Sequence, residues 1–170
     1  MNTSDFLRLI AGGILALVSS YIGLLVKNGY KENTRLFKDL VDFADGFKRE
    51  LSFEKTSVID FCTTFKEGKK SKIADLLDQY ISDLQKEGKF SRDVECWTLA
   101  HLKKEEKSEV LTFLNGLGKT PTKEQISFVE KGEEIFKARL KNAEENEKKK
   151  GNMFFKLFVL LGVALMVIVG

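Results

Sequence analysis

Two apolar runs, one near each end of the chain, limit its fold more than any other feature. Leu9 to Val26 holds eighteen consecutive residues without a charge. At about 1.5 Å of helical rise per residue they reach about 27 Å, close to a bilayer core of roughly 30 Å. Leu157 to Gly170 is shorter, at fourteen residues, and Met153, Phe154 and Phe155 lengthen it once Lys156 stretches its ammonium to headgroup level. This run is apolar on all sides, which favours a span over a helix lying in the interface. A cleaved leader competes for the first run. Against it, the only basic residue ahead of that run, Arg8, is offset by Asp5, and the run exceeds a leader core of about 7 to 15 residues. The chain therefore divides into a short tail (1–8), a transmembrane helix (9–26), a helical bundle domain (27–152) and a second transmembrane helix (153–170).

Basic residues crowd the inner edges of both runs. Lys27, Lys31, Arg35 and Lys38 follow the first, and Lys148, Lys149, Lys150 and Lys156 border the second. Positive-inside bias then places both termini outside and the bundle domain in the cytoplasm of a two-pass membrane protein. Lys27, Lys31, Arg35, Lys148, Lys149, Lys150 and Lys156 form a candidate collar for the membrane surface. Much of the net charge of +3 is accounted for at these edges. A nucleic-acid partner, which needs a basic stripe within the folded domain, is not expected.

Between the runs the pattern is helical. Leu36, Leu40, Phe43, Phe47 and Leu51 step by three and four along a helix that continues from the first span, with Gly29 and Gly46 as weak points. Thr56 is a candidate cap for a short second helix carrying Val58, Ile59, Cys62 and Phe65, broken around Gly68. Ser71 caps a third with a stripe of Ile73, Leu76, Leu77, Tyr80, Ile81 and Leu84, ended by Gly88. A fourth is expected from Ser91 to His101, and a fifth from Glu105 to Leu117 with Val110, Leu111 and Leu114. Pro121 is the only proline. After it, Thr122 and Gln125 have capping-box spacing at the head of a long helix marked by Ile126, Val129, Phe136 and Leu140. Its charged end is supported by pairs such as Glu144 with Lys148 and runs into the second span. The expectation is an all-α protein: an antiparallel bundle of about six helices flanked by N- and C-terminal transmembrane helices.

Sites for chemistry are not evident. Gly116-Leu117-Gly118-Lys119-Thr120 resembles the end of a phosphate-binding loop, but Phe113 stands where the first glycine belongs and a helix precedes it instead of a strand. Carboxylates at Glu105, Glu106, Glu109, Glu133, Glu134, Glu144 and Glu145 have basic neighbours at helical spacing and read as solvated faces. Cys62 and Cys96, in a reducing compartment, are expected as buried free thiols, and with His101 they fit no zinc spacing. Trp97 and the phenylalanines read as core. We expect no enzyme, no cofactor or metal, and no small-molecule substrate.

Leu102-Lys103-Lys104-Glu105-Glu106, Leu111, Leu117-Gly118 and Gln125, with a charged helix entering a Leu161-Gly162-Val163 span, resemble stage III sporulation protein AB. Glu50-Leu51 followed by Thr56, Val58 and Phe61 resembles a second motif of that family. Thr120-Pro121-Thr122 departs from the acidic residue the family carries between Leu-Gly and Gln, and Ser57 stands in place of its proline. The resemblance implies a membrane-embedded assembly component of the secretion-like channel between mother cell and forespore. It further implies a cytoplasmic, mother-cell-side domain similar to the type II secretion F domain, with the other channel subunits and the channel's cytoplasmic ATPase as partners. Leu117, Gly118 and Gln125 then form a structural or partner-contacting turn. A stand-alone membrane-tethered sensor or adaptor is the alternative.

Overall fold

The computed structural model describes residues 3–53, 56–69, 71–88, 90 and 97–169, without the side chains of residues 3–9 and of Glu87, Trp97 and Val169. All regular structure among the described residues is helical: α1 (Thr3–Phe53), α2 (Val58–Lys66), α3 (Lys72–Glu87), a 3-10 turn (Trp97–Leu99), α4 (Lys104–Gly116), α5 (Thr122–Asn146), a π-helical turn (Glu147–Gly151) and α6 (Asn152–Val169). The chain forms two compact units, Met1–Thr34 with Asn142–Gly170, and Arg35–Lys141.

The second unit is built on phenylalanine. Phe43 and Phe47 of α1, both fully buried, meet Phe61 of α2 at ring-centroid distances of 5.2 Å each. Phe43 also meets Phe65 and, at 6.3 Å, Phe113 of α4. Phe113 in turn packs edge-on against Phe136 of α5 at 4.9 Å. Such mutually edge-on pairs add to the large apolar area each ring removes from water. Leu36, Leu40, Ile73, Leu76, Leu77, Val110, Leu114 and Val129 complete the core. The helical spacing in the sequence therefore identifies the buried faces. Contacts from Gly116 to Phe128, Phe113 to Gly132 and Glu109 to Arg139 run α4 and α5 antiparallel.

Five helices, not six, contribute to this unit among the described residues, and α1 and α5 reach it from the apolar ends. The expected helix from Ser91 to His101 accounts for the difference. Residues 91–96 lie outside the described residues, and Trp97–Leu99 makes a single 3-10 turn. Leu99 and Leu102, three apart, are both buried, a spacing that one such turn satisfies. The expected burial of Cys62 is observed. Cys96 lies outside the described residues, and so does the cap expected at Ser91.

Capping differs from expectation at three places. Ser57, not Thr56, caps α2 and accepts from the Asp60 N–H, while the Thr56 hydroxyl donates to Glu50 at 2.9 Å. Ser71 occupies the cap position of α3 without a capping bond; its hydroxyl donates to Asp39 of α1 at 2.8 Å. Gln125 does not close a capping box with Thr122, because its side chain is bonded to Gly116 and Thr120. Gly88 ends α3 in the left-handed conformation (φ +65°), as its position implied. At Gly46 α1 continues unbroken, and Phe61 lies over the glycine.

Candidate functional site

In the first unit, α1 and α6 pack antiparallel through small residues. Gly12, Ser19 and Gly23 are buried and recur at the four-and-three spacing of a helix seam, with Ala16 between them. A β-carbon built on Gly162 would lie 3.0 Å from the Ala16 carbonyl oxygen, one on Gly23 would lie 2.8 Å from the Phe158 β-carbon, and one on Gly12 would lie 3.2 Å from the Met166 backbone. The Ser19 hydroxyl donates to the Phe158 carbonyl at 2.7 Å. Large apolar side chains, among them Leu17, Val18, Tyr21, Leu160 and Val167, face outward. Small residues inward and large ones outward suit a lipid environment, where helices gain by close backbone approach and not by hiding apolar surface. By length and composition, two helices, Ile10–Phe53 and Thr122–Ile168, are apolar enough to cross a membrane.

At the end of this helix pair nearest the charged segments of α1 and the π-helical turn, its mouth, lies most of the basic collar. Gly151, buried in the π-helical turn, faces Tyr30, whose β-carbon would be 3.7 Å from a β-carbon at the glycine, and Lys27. Tyr30 stacks on Phe154 at 6.5 Å, and the Lys27 ammonium sits 5.5 Å from the centre of the Phe155 ring. Lys27 and Lys31 of α1 are thus brought to the same helix pair as Lys148, Lys149, Lys150 and Lys156, whose side chains are exposed. Lys149 pairs with Glu145 at 3.6 Å. Arg35 belongs to the other unit. Tyr30, Gly151, Phe154 and Phe155 escape a reading based on charge alone; an aromatic girdle beside lysines is the signal that marks them.

The family-motif turn lies in the second unit between α4 and α5. Leu117 is buried. Gly118 has φ +73°, and a β-carbon there would also come 2.9 Å from Val58, so both conformation and space require glycine. Gln125 is only 1% exposed. Its amide donates to the Gly116 carbonyl at 3.4 Å and its oxygen accepts from the Thr120 hydroxyl at 3.1 Å. It therefore staples the last turn of α4 to the loop, and is drawn away from the N-terminus of α5. Leu102 is buried, and the Glu106 carboxylate accepts from the Lys103 N–H at the start of α4. These motif residues shape the α4–α5 pair. The phosphate-loop look-alike follows a helix, with its threonine bonded to Gln125.

Ion pairs brace the same unit. Arg139 grips Glu109 through two hydrogen bonds of 2.6 and 2.8 Å, and Lys69 and Ser71 both donate to Asp39. Glu133 accepts from Lys137 and Lys48 at 2.6 and 2.9 Å. The Lys137 bond holds the Glu133 carboxyl below its ordinary range against the opposing cost of burial. Burial pushes the Cys62 thiol up to about 12, which leaves it uncharged and unreactive at neutral pH. Beside α4 and α5 an apolar groove of about 260 Å³ is lined by residues including Thr112, Phe113, Phe128 and Ile135. Among the described residues no group of three or more His, Cys, Asp or Glu side chains could hold a metal ion.

The sequence profile of the family described as stage III sporulation protein AB matches residues 8–169. No match was found among curated proteins or among solved structures. The matched stretch takes in both apolar helices, the collar, the helical unit and the turn at Leu117, Gly118 and Gln125, and on that evidence the chain belongs to the stage III sporulation protein AB family.

Proposed function

We propose that this chain is a non-enzymatic assembly component of the secretion-like channel between mother cell and forespore, anchored by two spans and docking the channel's ATPase through its helical unit. Membership of the family ties it to sporulation. The observation that carries the reading is the family match over residues 8–169, which includes both apolar helices as well as the unit between them. On this reading the Arg35–Lys141 unit faces the mother-cell cytoplasm and both termini lie outside. A rigid unit suits docking: its phenylalanine core and braced ion pairs present a fixed surface to a partner at low ordering cost.

Affinity isolation of the tagged chain from sporulating cells tests the proposal. Channel subunits and the ATPase are expected in the eluate, in amounts that exceed those from a tagged, unrelated two-span protein. An eluate without them, from a chain that is present and membrane-bound, would instead favour a stand-alone adaptor.

A further inference from the structure

Along the chain the cations at the mouth of the α1–α6 pair outnumber the carboxylates beside them, and the ion pair of Lys149 with Glu145, at 3.6 Å, is solvent-exposed and points back from the mouth along the helix. Residues 27–31 and 148–156 together hold six lysines and no Asp or Glu, whereas Glu32, Glu144, Glu145 and Glu147 all lie on the side away from the apolar runs. The contact of Gly151 with Tyr30 and Lys27 sets the two lysine groups at one level of the helix pair. The π-helical winding of Glu147–Gly151 matters here. A helix wound i to i+5 turns each residue through a smaller angle than an α-helix does, so three consecutive lysines fan over a narrower arc while Gly151 faces inward. Tyr30, Phe154 and Phe155 lie at the same level, as amphipathic and aromatic groups do at the boundary of acyl chains and headgroups.

We propose that this mouth is a binding site for the phosphodiester headgroups of anionic phospholipids, with Lys27 and Lys31 on one helix and Lys148, Lys149 and Lys150 on the other as its cationic walls. The inference rests on the reading of α6 and the apolar part of α1 as membrane spans, and it goes beyond topology: the collar selects the lipids that surround the protein. Charge complementarity identifies the occupant. A zwitterionic headgroup offers the lysines a phosphate but adds its own ammonium, whereas an anionic headgroup neutralises them outright.

The test uses the full chain reconstituted in phosphatidylcholine with spin-labelled lipids, whose immobilised fraction reports the lipids in contact with the protein. A preference of about fivefold for phosphatidylglycerol over phosphatidylcholine is expected at low salt, falling toward unity at about 0.5 M salt. Replacing Lys148, Lys149 and Lys150 together with Gln should remove most of it, whereas Lys123→Gln, in the other unit, should leave it intact. Equal association of the two lipids at low salt, in a chain that resists extraction with alkaline carbonate, would overturn the site alone. So would a preference that survives the triple substitution. Release of the chain by carbonate would overturn the spans, and the site with them.

Discussion

Ser19 and Phe158, 139 positions apart in the chain, are joined by a 2.7 Å hydrogen bond from the serine hydroxyl to the phenylalanine carbonyl. Around it, Gly162 lies so close to Ala16 that a β-carbon would come 3.0 Å from a backbone oxygen. The bond is expected to be worth about 0.6 kcal/mol, the average for polar contacts between membrane helices. Close packing should matter more. Gly162→Val is expected to cost about 1–3 kcal/mol through overpacking against backbone that cannot yield, and Ser19→Ala distinctly less. Melting of the full chain in detergent micelles checks the order; a larger loss for Ser19→Ala would show that hydrogen bonding, not proximity, holds the pair.

Gly132 and Gly29 should respond in opposite directions to the same substitution. A β-carbon at Gly132 would sit 2.4 Å from the buried Phe113 ring, while one at Gly29 would meet nothing within 4 Å. Gly132→Ala is expected to lose about 1–3 kcal/mol, and Gly29→Ala to gain up to about 1 kcal/mol of helix propensity. The melting temperatures of the two variants decide it.

At the family-motif turn, Gln125→Ala leaves the Gly116 carbonyl and the Thr120 hydroxyl without their partner, at an expected cost of about 1–3 kcal/mol. Leu117→Asp, which buries a carboxylate, should cost more still. Lys119→Ala, at an exposed position, should stay within about 0.5 kcal/mol and leave sporulation intact. Spore counts from strains carrying each variant provide the check: loss of spores from Lys119→Ala with normal protein levels would reopen a phosphate-binding role.

The difference between what could be read in the sequence and what could not has physical causes. The third helix is legible because its apolar stripe is uninterrupted and Gly88 supplies a left-handed ending. Caps are less so: Thr56 and Ser57 are adjacent hydroxyls, and the choice depends on Asp60 and Glu50, one on each side of them. Gln125 has capping-box spacing, yet its amide is drawn across the turn to Gly116, a contact that needs the α4–α5 pair already in place. The collar lysines are visible as charge. The seam of Gly12, Ala16, Ser19 and Gly23 hides in a run of uniform hydropathy, where small residues give no amphipathic signal.

Glu133 and Lys48 predict how stability depends on pH. Hydrogen bonding to Lys137 first, then to Lys48, holds the Glu133 carboxyl down, and the bond to Glu133 holds the Lys48 ammonium up. A lowered carboxyl contributes stability above its unfolded value of about 4.3 and loses it as pH falls through the folded one. A raised lysine contributes below its unfolded value of about 10.4 and loses it as pH rises through the folded one. The melting temperature should therefore fall on the acid side of about pH 4 to 5 and again above about pH 10. Glu133→Gln should lower the plateau between them and shallow the acid limb; an unchanged acid limb would place its origin elsewhere.

The proposed role requires the helical unit to lie on the cytoplasmic side of the membrane, and labelling of a single exposed cysteine measures that directly. Glu134 is exposed on α5 and buried Cys62 is silent at neutral pH, so Glu134→Cys in a chain that also carries Cys96→Ala, read against Cys96→Ala alone, gives a clean signal. With both helices spanning and the unit in the cytoplasm, a membrane-impermeant maleimide should label Glu134→Cys only after the cells are permeabilised. Rapid labelling in intact cells would contradict the account.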